Sequence, residues 1–99
     1  MELLLNEQDI VDSVCVYTAA KEYSNPENID VELAYHPSYG ISADARCHGR
    51  TRNLNEQDVI DAVAVYLRDY HNFDPNRLLV ELSFTEAVGI TASVQLKDY

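Results

Sequence analysis

The sequence predicts an α+β domain: a two-layer sandwich with a four-stranded antiparallel sheet and two helices on one of its faces. Three observations lead there. The chain matches itself without a gap when shifted by 49 residues. Each copy opens with an N-capped apolar stripe of helical period. Each copy then closes with two stretches in which apolar and polar residues alternate, the mark of half-buried strands. At 99 residues and 11.2 kDa the chain is one small domain, 1–99, holding two internal repeats, 5–50 and 54–99.

The repeat is read directly. Leu5-Asn6-Glu7-Gln8-Asp9 returns as Leu54-Asn55-Glu56-Gln57-Asp58, Val31-Glu32-Leu33 as Val80-Glu81-Leu82, and Gly40-Ile41 as Gly89-Ile90. Pairing 5–50 with 54–99 gives 16 identities in 46 positions, which makes a tandem duplication with a pseudo-twofold axis the expected organisation. Two copies are too few for a solenoid.

In each copy Asn6 or Asn55 is the N-cap, and Asp9 or Asp58 stands at N3, where its carboxylate reaches back to the cap. Leu5 with Ile10, and Leu54 with Val59, have the spacing of a hydrophobic staple. The stripes are Ile10, Val11, Val14, Tyr17 and Thr18, then Val59, Ile60, Val63, Tyr66, Leu67 and Tyr70. Both helices should end near Tyr23 and Asn72, before Asn25-Pro26 and Asp74-Pro75. Next, Ile29, Val31, Leu33 and Tyr35 form one strand face and Ile41, Ala43, Ala45 and Cys47 another. Leu78, Val80, Leu82 and Phe84, then Ile90, Ala92, Val94 and Leu96, repeat the pattern. Pro37–Gly40 and Glu86–Gly89 are the hairpin loops. The order α-β-β-α-β-β reads as a permuted ferredoxin-like sandwich, with the second and fourth strands central.

Charge narrows the partners. Seventeen acids against seven bases give −10, a field that repels nucleic acid and anionic membrane. No apolar run approaches the roughly 20 residues of a membrane helix. The first residues do not read as a signal peptide. A cytoplasmic location is expected, with Cys15 and Cys47 reduced. Both cysteines read as small buried hydrophobes, and neither has metal-ligand spacing. The sequence therefore implies no metal, no cofactor and no catalytic residue.

The segments Asn6–Tyr17, Val31–Tyr35, Tyr39–Ala43 and His48–Arg50 resemble the YxcD-like family, short uncharacterised proteins of Bacillus and relatives. The resemblance implies a bacterial cytoplasmic protein and carries over no functional residue.

Three surfaces deserve a chemical reading. The crossover 46–52 holds Arg46, His48, Arg50 and Arg52 and runs into the helix start at Asn55. Arginines beside free helix N–H groups suit a small anionic ligand, although arginines paired with surface acids are the ordinary alternative. A first hairpin folded about Ser38 sets Glu32 opposite Asp44 and Asp30 opposite Arg46, with His36 and His48 on the same face; facing carboxylates could share a proton or a hard cation. Val16, Ala20 and Tyr23, with Val65 in the second helix, leave apolar side chains on a nominally wet face. The expectation is a non-enzymatic interaction or oligomerisation module, acting as a homodimer or with another protein. The alternative is an anion sensor at the crossover.

Overall fold

Each helix begins at a reciprocal cap. Asn6 Oδ1 accepts the Asp9 N–H at 2.9 Å, and Asp9 Oδ2 accepts the Asn6 N–H at 3.0 Å. Asn55 and Asp58 repeat the exchange at 2.9 and 3.1 Å. N–H groups at a helix start lack internal partners, and this box satisfies two of them locally while setting Glu7, Asp9, Glu56 and Asp58 at the positive end of the dipole. Helix α1 therefore runs Glu7–Glu22 and helix α2 Glu56–His71. They stop where Tyr23 (φ 53°) and Asn72 (φ 59°) turn left-handed.

The computed structural model describes residues 2–97. Met1, Asp98 and Tyr99, and with them the very end of the second repeat, lie outside the described residues, as does the Pro75 side chain. Among the described residues six strands accompany the helices: β1 Glu2–Leu5, β2 Asp30–His36, β3 Gly40–Cys47, β4 Arg50–Leu54, β5 Leu78–Thr85 and β6 Gly89–Leu96.

The expected single four-stranded sheet is not what forms. The strands make two three-stranded antiparallel sheets, β1-β6-β5 and β2-β3-β4, so the permuted ferredoxin-like arrangement is corrected. The reason is two additional strands. Each helix is preceded by a short strand that pairs beside the last strand of the opposite half. Leu5 lies opposite Ala92 and Leu54 opposite Ala43. The strand leading into α1 thus completes the sheet of the second half, and the strand leading into α2 completes that of the first. The second and fourth of the expected strands, β3 and β6, are central, but each in its own sheet.

The polar strand β4 follows β3 through a two-residue turn. His48 (φ 53°) and Gly49 (φ 79°) both take positive φ, the hairpin turn that matches strand twist. Hence 46–52 is a hairpin, not a loose crossover. The first hairpin keeps the expected register: Glu32 opposite Asp44, and Asp30 opposite Arg46.

The helices pack on each other, and each touches both sheets. The core draws on both halves: Ile10, Val14, Ile41, Ala43, Val59, Ala62, Ile90 and Ala92 form one cluster. Small alanines on β3 and β6 leave room for the helices above them. The helix stripes are turned slightly from expectation. Ser13, Ala19 and Ala62 face inward, while Val11 and Tyr17 are half-buried and Tyr70 is 57% exposed. Where β2 and β5 meet, Tyr35 and Phe84 stack with centroids 4.4 Å apart and planes 6° from parallel.

A second tie joins the halves. Glu7 accepts the Ile90 N–H at 2.9 Å, and Glu56 accepts the Ile41 N–H at 3.3 Å. Each helix start thereby holds the hairpin of the opposite half. Gly89 and Gly40 precede those amides with φ of 85° and 78°. The positive φ favours glycine at both places, and a Cβ there would displace the glutamate carboxylate from its bond to the hairpin amide.

Candidate functional site

The residues expected to bind an anion are each engaged. Arg50 and Arg52 both reach Glu22 on α1, at 3.7 Å. Arg46 pairs with Glu32 at 3.2 Å, across the diagonal of the hairpin. The His48 ring lies 3.4 Å from the Ser24 hydroxyl, and the Asn55 side chain caps α2. Arg50 and Arg52 are gathered at the end of α1; Arg46 stands apart on the β2-β3 pair. The Arg46–Glu32 contact also takes one member of the carboxylate pair expected between Glu32 and Asp44. Among the described residues no group of three or more His, Cys, Asp or Glu side chains could hold a metal ion. His36 accepts the Ser38 N–H at Nδ1, 3.1 Å away, within its own turn.

Two clefts occupy equivalent places in the halves, each between the strand leading into one helix and the C-terminal turns of the other. The first, about 130 Å³, is lined by Tyr17, Lys21, Arg52, Asn53, Leu54 and Asp58. Lys21 Nζ lies 4.8 Å from the centre of the Tyr17 ring. With Arg50 next to Arg52, this corner collects three of the seven basic residues. The second cleft, about 430 Å³, is lined by Leu3, Leu5, Asp9, Tyr66, Leu67, His71 and Phe73. At an offset of 49, Arg52 is replaced by Leu3, Lys21 by Tyr70 and Ser24 by Phe73. One scaffold position is basic in one half and apolar in the other.

A third depression of about 390 Å³ lies along the helices, lined by Asp12, Cys15, Val16, Pro26, Glu27, Tyr66 and Tyr70. Tyr66 and Tyr70 stack at 5.1 Å. Burial pushes the Cys15 thiol above its ordinary range, and the Asp12 and Asp30 carboxylates push it further. Its Sγ lies 3.7 Å from the Ile29 carbonyl, to which it donates. That thiol is a packed donor, not an activated nucleophile. The Tyr66 phenol is raised too, by burial first and then by Asp12 and Asp9. Cys47 is buried among core residues.

Of the four expected contact residues, one is among those that line this groove. Val16 lines it; Val65 is half-buried on α2; Ala20 is exposed. Tyr23 is 99% exposed at the end of α1. The groove itself was not legible in the sequence, because Tyr66 and Tyr70 read as core. Their spacing of four residues, beside an exposed Asp61 and Asp69, is the signal that could have found it.

Among the described residues no helix is long and apolar enough to cross a membrane. The chain is 48% identical over 46 residues to the uncharacterised protein YxcD of Bacillus subtilis (strain 168). That stretch is 46% of this chain and 45% of the relative, so the match spans a little under half of YxcD. No solved structure matches the chain. The family described as "Protein of unknown function (DUF2653)" matches residues 1–86, and matches residues 50–99 again. With most of its length matched in this way, the chain belongs to the DUF2653 family.

Proposed function

We propose that the chain is a non-enzymatic interaction module that pairs with a second copy of itself through the solvent side of its helix layer. The observation that carries this reading is a fully exposed aromatic ring on a chain that also carries an aromatic-walled groove. Tyr23 is 99% exposed, while Val16, Tyr66 and Tyr70 wall a groove of about 390 Å³ that also offers the Asp12 and Glu27 carboxylates. An aromatic ring prefers aromatic and apolar walls, and its phenol needs an acceptor when buried. In a twofold pair, Tyr23 of each copy enters the groove of the other, a contact of the isologous kind most dimers use. Ala20 is small enough to let the helices approach, and Val65 adds apolar surface. An uncharged ring also suits self-association of a chain carrying −10.

Light scattering at micromolar concentration tests it. The wild type should have the mass of two chains and Tyr23→Ser that of one, with the variant's far-UV circular dichroism unchanged because the ring touches little in the monomer. A wild type of single-chain mass up to hundreds of micromolar overturns the reading.

A second reading is favoured by the basic cleft. Lys21, Arg52 and Asn53 supply donors, beside the Asp58 carboxylate, in a space that fits a small carboxylate or phosphate. Anion binding there should raise the melting temperature, and Arg50→Ala with Arg52→Ala should remove the rise. A flat response across phosphate, sulfate and small dicarboxylates counts against it.

A further inference from the structure

The apolar cleft has no use in either reading above. Its walls are Leu3 and Leu5 from β1, Leu67 from α2, and Phe73 beyond the helix end. Leu67 is buried and the other three are half-buried. At about 430 Å³ it lies within the roughly 300–1,000 Å³ usual for small-ligand pockets. Its polar groups are few and specific. Asp9 Oδ2 accepts the Asn6 N–H, and a carboxylate accepts more than one such bond. The Tyr66 ring forms one wall, and His71 meets that ring edge-on at 5.6 Å.

The contrast with the equivalent basic cleft sharpens the chemistry. There the strand residue is Arg52, whose guanidinium fills space and brings positive charge. Here it is Leu3, and Lys21 is replaced by Tyr70. Both cations are gone, Asp9 stands in place of Asp58, and His71 stands where the other half has Glu22. The cleft is therefore apolar in its walls, with one carboxylate, Asp9, at its rim.

We infer that this cleft binds a small hydrophobic amine, its aliphatic or aromatic body against Leu3, Leu5, Leu67 and Phe73 and its ammonium at Asp9. Burial raises the Tyr66 phenol first, and the Asp12 and Asp9 carboxylates raise it further. An ammonium beside the Tyr66 face would gain a cation–π contact as well.

The test uses 2-phenylethylamine, followed by the methyl resonances of the full chain, with 2-phenylethanol and 3-phenylpropanoate as neutral and anionic probes of the same body. The amine should shift the methyls of Leu3, Leu5 and Leu67 saturably and bind at least fivefold more tightly than the alcohol, with the acid weaker still. Leu3→Arg with Phe73→Ser copies Arg52 and Ser24, the residues at the equivalent positions of the other half, and should abolish the shifts. The map of shifted methyls in the wild type stands even where that variant fails to fold. Repeating the titration in Tyr23→Ser separates this site from self-association. An amine that shifts none of these methyls, an alcohol or acid that binds equally well, or unchanged binding in a folded Leu3→Arg/Phe73→Ser variant would overturn the inference.

Discussion

Thr18 is fully buried, and its Oγ1 has no hydrogen-bond partner among the described residues. At the matching place in the second helix stands Leu67, which packs against Val63, Val80 and Val94. A buried hydroxyl without a partner forfeits its bonds to water, at about 1–3 kcal/mol. Thr18→Val keeps the shape and removes the penalty, so it should raise the urea midpoint by the equivalent of about 1 kcal/mol. A lower midpoint would mean that the hydroxyl is satisfied in solution. Cys15 and Tyr66 add a dependence on pH. Both groups are held above their ordinary values in the folded chain. The folded state then keeps protons that the unfolded state releases. Their contribution is whole at neutral pH and is lost as pH rises above about 8.5, where the unfolded thiol begins to ionise. Thermal melts from pH 7 to 10.5 should show this fall, and Cys15→Ala should reduce it. At this scale the sequence was uneven in what it disclosed. The caps at Asn6 and Asn55 were legible because their partners lie three residues away. The second role of Glu7 and Glu56 was not, since Ile90 is 83 residues from Glu7 and only the fold joins them.

The helices were the most legible elements. Their starts rest on a local box and their ends on residues that take αL. Each cap should carry similar weight, because the geometry is repeated within 0.1 Å. Asn55→Ala should lower stability by about 1–2 kcal/mol in chemical denaturation, and Asn6→Ala by a like amount. A loss confined to one of the two would show that the ends are held by different means. Strands β1 and β4 escaped detection for a physical reason. They are edges whose pairing is made by main-chain bonds, and only Leu54 of β4 is buried. Arg50-Thr51-Arg52-Asn53 shows no apolar alternation, so side-chain pattern says nothing of it. Leu3-Leu4-Leu5 has apolar residues on both faces, with Leu4 77% exposed. The turn was the available clue: His48-Gly49 can take two positive φ values, and a two-residue turn leaves no room for a wandering crossover.

In the whole molecule, the missing strands change the topology rather than extend it. With four strands, the apolar stripes close one sheet under two helices. With six, each half lends its first strand to the other and receives one in return. Glu7 and Glu56 repeat that exchange at the hairpins, and the largest core cluster mixes residues of both halves. The shared interior was legible from matching stripes; the exchange of strands was not, because nothing in a local pattern says which half an edge strand will join. The site followed the same rule. The arginines at 50 and 52 stood out against an acidic chain, but the paired clefts emerged only once strand and opposing helix were seen together. Native-state hydrogen exchange tests the interlocking most directly, through the amides of the two central strands, β3 and β6. If each sheet depends on a strand from the other half, both sets should open with one free energy, equal to that of global unfolding. Exchange of one sheet by a distinctly cheaper opening, with the other still protected, would contradict it.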